Sequence, residues 1–349
     1  MVLTLNRFAF TLLAGMLPAV LLLTHGTAAG AAAEGETLVF RGEAGPGAGR
    51  QVVLVSGDQE YRSEEALPQM AKILAKYHGF NCTVLFAIDP ASGTINVDNE
   101  NNIPGLESLE HADLMIIATR HRNLPDEQMK HVVDYVASGR PIIGLRTSTH
   151  AFLIPENRKY ANFGNGYTTG DWDGGFGRRV LGERWVDHHG KHGKQSTRGI
   201  FAPGQADNPI LRGIHDGEIW GPTDVYAVRL PLPAECTTLV LGQVLEGMKA
   251  DDKPVDGPVN HPMMPVAWSR IRTAENGKPA RSFTTTMGSS KDLENEALRR
   301  LLVNAVYWGL GMEDKIPAKA VVDIVGTYET LPFSFGGSRK GVKPVDLAH

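Results

Sequence analysis

The chain has 349 residues, of which 42% are hydrophobic and 21% charged, a composition typical of a globular protein with one large domain or two modest ones. Its net charge is −4, and it contains no run of Lys or Arg that could neutralise a phosphate backbone. These features argue against a nucleic-acid partner.

The first 33 residues are typical of a secretory signal peptide. Arg7 precedes an apolar run, residues 8–23, and small residues follow it. Gly15 and Pro18 interrupt this run, which is also short for a membrane span. We expect cleavage after Ala29 or Ala33 and an exported protein, periplasmic or extracellular, without a membrane partner after cleavage. Whether it forms a homo-oligomer stays open.

The mature chain is predicted to be one α/β domain over residues 51–312. A Gly-rich linker, 34–50, precedes this domain, and a Pro- and Gly-punctuated extension, 313–349, follows it and wraps the surface. In chain order the apolar patterns predict a strand at 50–57, a helix at 63–78, strands at 80–88 and 112–119, a helix at 125–138 and a strand at 140–145. This alternation builds a parallel sheet with helices on both faces.

The second half of the domain begins with an irregular insert, about 155–204, that is rich in Gly, aromatic and His residues. A long stretch without regular structure inside a domain usually has a function. Strands are then predicted at 237–245, 264–272 and 280–288, and an amphipathic helix at 295–311.

Three of the apolar runs end in polar segments, and the carboxyl ends of parallel strands are where ligands bind in such sheets. These segments are Ser56–Glu65, Thr119–Asn123 and the turn Arg146–His150, which we call the elbow. Any single polar residue there could simply face water, whereas the convergence of three segments indicates a site. Together they offer Asp58, Glu60, Tyr61, Arg62, Arg120, His121, Arg122, Arg146 and His150.

The order of these motifs resembles the class I glutamine amidotransferase-like (flavodoxin-like) fold, a three-layer sandwich, and more closely its ThuA-like (trehalose utilisation) branch. The likeness rests on the segments "PIIGLRTSTHAF", "DNPILRGI" and "PVAWSRIR…ARSFTTTMG…NEALRRLLVNAVYWGLG" and covers about Gln51 to Met312. The sequence is similar to the secreted bacterial subgroup. Members often have His where this elbow has Arg146, and Gly-His where this chain has "MGSS".

An amidotransferase would have a Cys nucleophile at the elbow, activated as a thiolate. Position 146 is Arg, which is always charged and attacks nothing, so glutamine hydrolysis through a thioester is excluded. Ser148 lies two residues past the apex and is a poor alternative nucleophile. Cys82 and Cys236 could pair in an exported protein, although Cys82 lies in a predicted buried strand and favours a free thiol.

The segment "GERWVDHHGKHG", residues 182–193, concentrates Asp187, His188, His189 and His192. Imidazole and carboxylate groups can hold a divalent metal, the one cofactor that the sequence suggests, with His188, His189 and His192 as candidate ligands. However, the side chains of adjacent residues point apart in an extended chain, so His188 and His189 would not both ligate. The alternative is that one or two imidazoles serve proton transfer.

The same insert contains aromatic residues that could stack on a sugar ring, or could form a small satellite core beneath a long loop. They are Tyr160, Phe163, Tyr167, Trp172, Phe176 and Trp185.

The resemblance implies an enzyme of disaccharide catabolism that acts on a carbohydrate, possible substrates being keto-sugars. The alternatives are a sugar-binding protein without turnover and a metal-dependent hydrolase. We expect Arg146 and the His segment to share one pocket, with Glu60 or Asp187 facing Arg146. The catalytic candidates are Arg146, His150, His121 and His189, and the substrate-binding candidates are Glu60, Tyr61, Arg62, Trp172, Trp185, Asp187 and His188.

Overall fold

The computed structural model describes Val2 and residues 35–349, so the predicted signal peptide lies outside the described residues apart from Val2. This part of the chain has three α-helices: α1 (Ser63–His78), α2 (Asp126–Ala137) and α3 (Glu296–Gly309). None of the described helices has the length and apolar character that crossing a membrane requires. The strands are β1 (Thr37–Phe40), β2 (Gln51–Gly57), β3 (Asn81–Leu85), β4 (Ile88–Asp89), β5 (Thr94–Ile95), β6 (Leu114–Thr119), β7 (Ile142–Leu145), β8 (Trp185–His188), β9 (Thr197–Phe201), β10 (Trp220–Gly221), β11 (Tyr226–Val228), β12 (Cys236–Val244), β13 (Met264–Thr273) and β14 (Pro279–Thr285).

Ten of these strands form one sheet in the order β1-β3-β2-β6-β7-β14-β13-β12-β9-β10. The five strands from β3 to β14 run parallel to one another. The remaining five strands pair antiparallel, β1 at one edge and β13, β12, β9 and β10 at the other. The predicted α/β fold with a parallel sheet is confirmed, and an antiparallel half extends it.

Alternating residues of the parallel strands face two separate hydrophobic layers, as the period of two in a strand requires. Leu54 and Ile116 belong to a core that also contains the buried faces of α1 and α3. Val55 and Ile117 point to the opposite side and pack in a second core with α2. Both faces of the sheet are therefore covered, which makes the strand ends, rather than the faces, the accessible part of the parallel half.

The helix boundaries follow from local signals. Gly79 ends α1 in the left-handed conformation, with φ 79°, and its N–H donates to the last turn of the helix. Asn295 caps α3, because its side chain accepts a 2.8 Å hydrogen bond from the backbone N–H of Leu298. Ser63 is the first helical residue of α1, and Arg62, not Ser63, is its N-cap.

Two segments that the sequence predicts to be irregular contain strands of the main sheet. Thr37–Phe40, within the predicted linker, pairs with β3 because an extended segment there completes the sheet edge. Thr197–Phe201, within the predicted insert, pairs with β12. Its five residues hydrogen-bond to a neighbour that is distant in sequence, a pairing that no local pattern shows.

The predicted C-terminal extension lies against the domain at several points. Leu331 donates its backbone N–H to Glu65, and Ile95 donates to the carbonyl of Val342. Cys82 and Cys236 are both free thiols, so the alternative of a disulfide between them is wrong.

Candidate functional site

The three polar segments at the carboxyl ends of β2, β6 and β7 share an unusual backbone feature. Within the described residues, the non-glycine residues with positive φ are Arg62 (62°), His121 (50°) and Arg146 (38°). One of them follows each of the three strands. Left-handed backbone in residues with a side chain costs free energy and is concentrated at functional sites, so these turns mark the same edge of the sheet that the sequence indicates.

The elbow begins directly after β7 as a short 3₁₀ turn over Arg146–His150, and all five of its side chains are buried. Thr147 donates a 2.5 Å hydrogen bond to Asp58, whose other oxygen accepts from the backbone N–H groups of Glu60 and Tyr61. Asp58 therefore fixes the turn after β2 to the elbow after β7.

Arg146 is only 1% exposed and lies behind the surface of the site. Its guanidinium donates to the carboxylate of Asp224 at 2.9 Å and to the backbone carbonyls of Asp224 and Thr286. The rings of Tyr61 and Tyr226 lie on either side of it, each with its centroid 4.0 Å from the guanidinium carbon. A cation between two rings and a carboxylate is well compensated for its burial.

The carboxylate that faces Arg146 is therefore Asp224, and the prediction of Glu60 or Asp187 is wrong. Asp224 lies in the turn between β10 and β11, which the sequence analysis did not consider. The buried carboxylate of Asp292 holds this turn by accepting a 2.7 Å hydrogen bond from Thr223 and bonds from the N–H groups of Gly288 and Ser289.

Asp224 joins Arg146 to the His segment. His188 Nδ1 donates to Asp224 Oδ2 at 2.7 Å, and His192 Nδ1 donates to Asp224 Oδ1 at 3.0 Å. On its other side, His192 Nε2 lies 3.3 Å from a carboxylate oxygen of Glu60. The structure thus brings Arg146 and the His segment into one site, as expected.

Electrostatics within this group favour charged forms. Burial opposes ionisation of Asp224, but the hydrogen bonds from His188 and His192 outweigh it and hold the pKa of the carboxyl well below its usual range. Hydrogen bonds to Asp224 and then to Glu60 raise the pKa of His192 to about 9. Burial would raise the pKa of Glu60, yet the bond with His192 lowers it overall.

His150 provides the opposite chemistry. It is 3% exposed, and its ring lies 5.1 Å from His121 and 5.2 Å from Trp185, measured between centroids. Burial, and then the charges of His121 and Arg120, hold the pKa of His150 well below its usual value, so that its imidazole is neutral near pH 7. Its Nδ1 contacts Thr149 at 3.3 Å, which leaves Nε2 for the cleft.

These groups surround a cleft of about 330 Å³ at the carboxyl edge of the sheet. The C-terminal extension closes one side of it: Ser334 donates to the carbonyl of Glu60, and Phe333 packs against Tyr61 and His192. We call this space the cleft, and its lining residues are Glu60, Tyr61, Arg120, His150, Trp185, His188, His192, Tyr226, Phe333, Ser334 and Phe335.

Of the residues predicted from the sequence, Glu60, Tyr61, His150, Trp185 and His188 line the cleft. His121 supports His150 from behind, and Arg146 acts through Asp224 rather than on a ligand, because its side chain is covered.

Four predicted residues lie elsewhere. Arg62 is fully buried and donates to the backbone carbonyls of Gln59 and Ser334, so it anchors the C-terminal extension. Asp187 is exposed and accepts from the N–H of His188, and His189 Nε2 donates to the carbonyl of Val259 at 2.6 Å. The placement of His188 and His189 on opposite sides follows from the alternation of side chains along β8.

Trp172 belongs to a second aromatic group, which we call the aromatic pack: Phe152, Phe163, Trp172 and Phe176. The centroids of Phe163 and Trp172 are 4.5 Å apart, and Phe176 lies edge-on to Phe152 at 5.3 Å. This group extends the core on the α2 side of the sheet. For this part of the insert, the satellite-core alternative is the correct one.

The sequence analysis missed Asp224, Tyr226 and the Phe333–Phe335 segment. A lone Asp after "GPT" and two Phe residues in a Gly-rich tail have no spacing that distinguishes them from ordinary loop residues. Only the antiparallel pairing of β11 with β8 brings Asp224 and Tyr226 to the His segment.

Comparison with known proteins was made once this geometry was established. The family model of ThuA, described as trehalose utilisation, matches residues 51–309. A ThuA-like protein of Bacteroides uniformis ATCC 8492 has 13% identity and a TM-score of 0.45, over 77% of this chain and 95% of its own. Another, of Parabacteroides merdae ATCC 43184, has 12% identity and a TM-score of 0.46, over 75% of this chain and 90% of its own. No curated protein matches the chain.

Proposed function

The chain belongs to the ThuA family, described as trehalose utilisation, and we propose that it binds a carbohydrate in the cleft and acts on it by proton transfer. The substrate class is a keto-sugar or a disaccharide derivative. The family membership supports a role linked to trehalose utilisation, and the chemistry of the cleft supports the finer assignment.

The observation that carries the proposal is the mixture of groups that meet in the cleft. Trp185, Tyr61 and Phe333 provide ring faces, and Glu60, Arg120 and His188 provide donors and acceptors. Sugars bind by stacking their C–H faces on rings while polar groups take the hydroxyls. A volume of about 330 Å³ is at the lower end of the range for small-ligand pockets and suits one or two sugar rings.

His150 is the group best suited to remove a proton next to a carbonyl. Its imidazole is neutral and can accept a proton through the nitrogen that faces the cleft. The negative charge that develops on the substrate oxygen would be stabilised by Arg120, which lines the same cleft and is 23% exposed. Arg62 and Arg146, the cations expected from the sequence, are covered and instead hold the surrounding turns in place.

The test is incubation of the purified protein with trehalose and with its 3-keto derivative, followed by mass-spectrometric analysis of the products and by calorimetric binding. We expect the keto-sugar to be consumed, and His150→Gln to abolish turnover while binding is retained. The matched control is His131→Gln on α2, a histidine 3.4 Å from Glu110 that does not line the cleft.

Binding without turnover in the unmodified protein would replace this proposal with the alternative of a sugar-binding protein. Neither binding nor turnover of either sugar would refute both.

Export is part of the proposal and rests on the sequence alone. Arg7, the apolar run and the small residues that follow support a cleaved signal. N-terminal sequencing of the protein from its native host should give a first residue near Gly30 or Glu34; an intact Met1 would contradict export with cleavage.

A further inference from the structure

We propose that His188, His192 and Asp224 bind one divalent transition-metal ion, of the Zn²⁺ class, in the wall of the cleft. Within the described residues, these three form a group in which one ligand atom from each lies within 4.8 Å of the others. The binding of the ion does not depend on the identity of the substrate, whereas any catalytic role for it rests on the proposed function.

The distances among the three side chains suit a shared ion. The two imidazole nitrogens lie 2.7 and 3.0 Å from the oxygens of Asp224. Two ligand atoms that bind one ion at about 2.1 Å are roughly 3.0–3.4 Å apart, so only small movements are needed for an ion to replace the hydrogen bonds. Binding would displace the protons that the two imidazoles share with the carboxylate.

The donor set determines which ion fits. Two imidazoles and one carboxylate are typical ligands of Zn²⁺ and of other first-row divalent ions, whereas Mg²⁺ and Ca²⁺ prefer oxygen ligands. Three protein ligands also leave at least one position open, as in catalytic rather than structural zinc sites. His188 and His192 are 37% and 34% exposed and line the cleft, so the open position would face a ligand.

Groups around the three residues orient them as partners of metal ligands do. A histidine that binds a metal through one nitrogen usually donates its other N–H to a carboxylate. His192 has this arrangement, with Nδ1 at Asp224 and Nε2 at Glu60. Arg146 donates to Asp224 Oδ1 and fixes the carboxylate, while its positive charge is offset by Glu60 as well as by Asp224.

An ion in this position would lie beside the sugar in the cleft and could polarise a carbonyl or lower the pKa of a bound water. It would therefore complement His150, which lines the same cleft.

The neighbouring histidine supplies a matched control. His189 follows His188 directly, but its ring faces the carbonyl of Val259 instead of Asp224. His188→Ala and His189→Ala each remove one imidazole from the same segment, and only the first removes a proposed ligand.

The experiment uses the purified full chain, stripped with a chelator and then titrated with Zn²⁺, Mn²⁺ or Mg²⁺. Bound metal is measured by mass spectrometry after desalting, and affinity by calorimetry. We expect one equivalent of Zn²⁺ or Mn²⁺ and no stoichiometric Mg²⁺. His188→Ala and His192→Ala should weaken Zn²⁺ binding by at least about 100-fold, Glu60→Ala by roughly 10–100-fold, and His189→Ala by about twofold or less.

Absence of stoichiometric Zn²⁺ or Mn²⁺ in the unmodified protein would overturn the metal site, as would an equal loss in His188→Ala and His189→Ala. If trehalose or its keto derivative still binds while no ion does, the metal site alone is wrong and the proposed function stands. If the ion binds as expected while neither sugar binds or reacts, the metal site is supported and the carbohydrate proposal fails.

Discussion

The two ends of the insert have similar aromatic compositions but opposite surroundings. The first end contributes Phe163, Trp172 and Phe176 to the aromatic pack, where they contact one another and Phe152. The second end contributes Trp185, whose ring lies near His150, His188 and Tyr226 in the cleft.

The difference shows that aromatic content does not identify a binding surface. The aromatic pack lies over an apolar part of the sheet layer and gains stability by excluding water. Trp185 belongs to β8, whose pairing with β11 brings it beside buried ionisable groups. Rings with polar neighbours and access to a cleft are available for a ligand, whereas rings that contact only other apolar groups are not.

Replacement of Asp224 should have the largest effect and should affect both stability and function. Asp224→Asn removes the charge that faces Arg146 and leaves an unpaired guanidinium in the interior. Removing one partner of a buried ion pair costs about 3–5 kcal/mol. We expect a loss of that size in urea unfolding, together with loss of detectable binding of the keto-sugar by calorimetry.

Phe176→Ala is the corresponding change in the aromatic pack. Truncation of a Phe that is 1% exposed costs about 3–5 kcal/mol. If the folded variant binds the keto-sugar as well as the unmodified protein does, the two ends are functionally distinct. Loss of binding in this variant under conditions where it is folded would contradict the comparison.

Trp185→Ala and Trp172→Ala test the comparison with one residue type. Trp185 lines the cleft, so its removal should weaken keto-sugar binding roughly tenfold, or about 1.4 kcal/mol. Trp172 packs on Phe163 away from the cleft, and its removal should leave the dissociation constant unchanged. Calorimetry on the two variants gives the answer, and equal effects would show that the cleft is not the sugar site.

The smallest expected effect concerns pH. Burial, assisted by Arg120 and Arg122, lowers the pKa of His121 from 6.5 in the unfolded chain to about 4. Between these values the unfolded state binds the proton and the folded state does not, so His121 makes stability fall as the pH falls from 6.5 towards 4. His121→Asn should make the free energy of unfolding less dependent on pH over this window.

The pH test has an internal reference in the aromatic pack, whose four residues do not titrate. Phe176→Ala should lower the unfolding curve at every pH without changing its slope between 6.5 and 4. A slope in His121→Asn as steep as that of the unmodified protein would show that His121 does not contribute.

The sequence alone predicts the fold well, because the signals that determine it are local. The runs at 50–57, 112–119 and 140–145 are apolar and bounded by Gly, Pro or polar residues, and α1 and α3 have apolar residues at helical spacing. The elbow is predicted for the same reason, since Arg146 follows directly on a buried strand. The short strands β1 and β9 are not predicted, because their stability comes from partners distant in sequence.

The sequence also determines which chemical groups are present: two adjacent histidines, a third four residues after the first, an arginine in place of a nucleophile, and glutamate after the first strand of the domain. Only the tertiary structure decides which of them meet. The pairing of β11 with β8 supplies Asp224, the strand alternation directs His188 towards it and His189 away, and the C-terminal extension closes the cleft with Phe333. These contacts join segments far apart in the chain, and their free energy depends on burial and on charge pairing that exist only once the chain is folded.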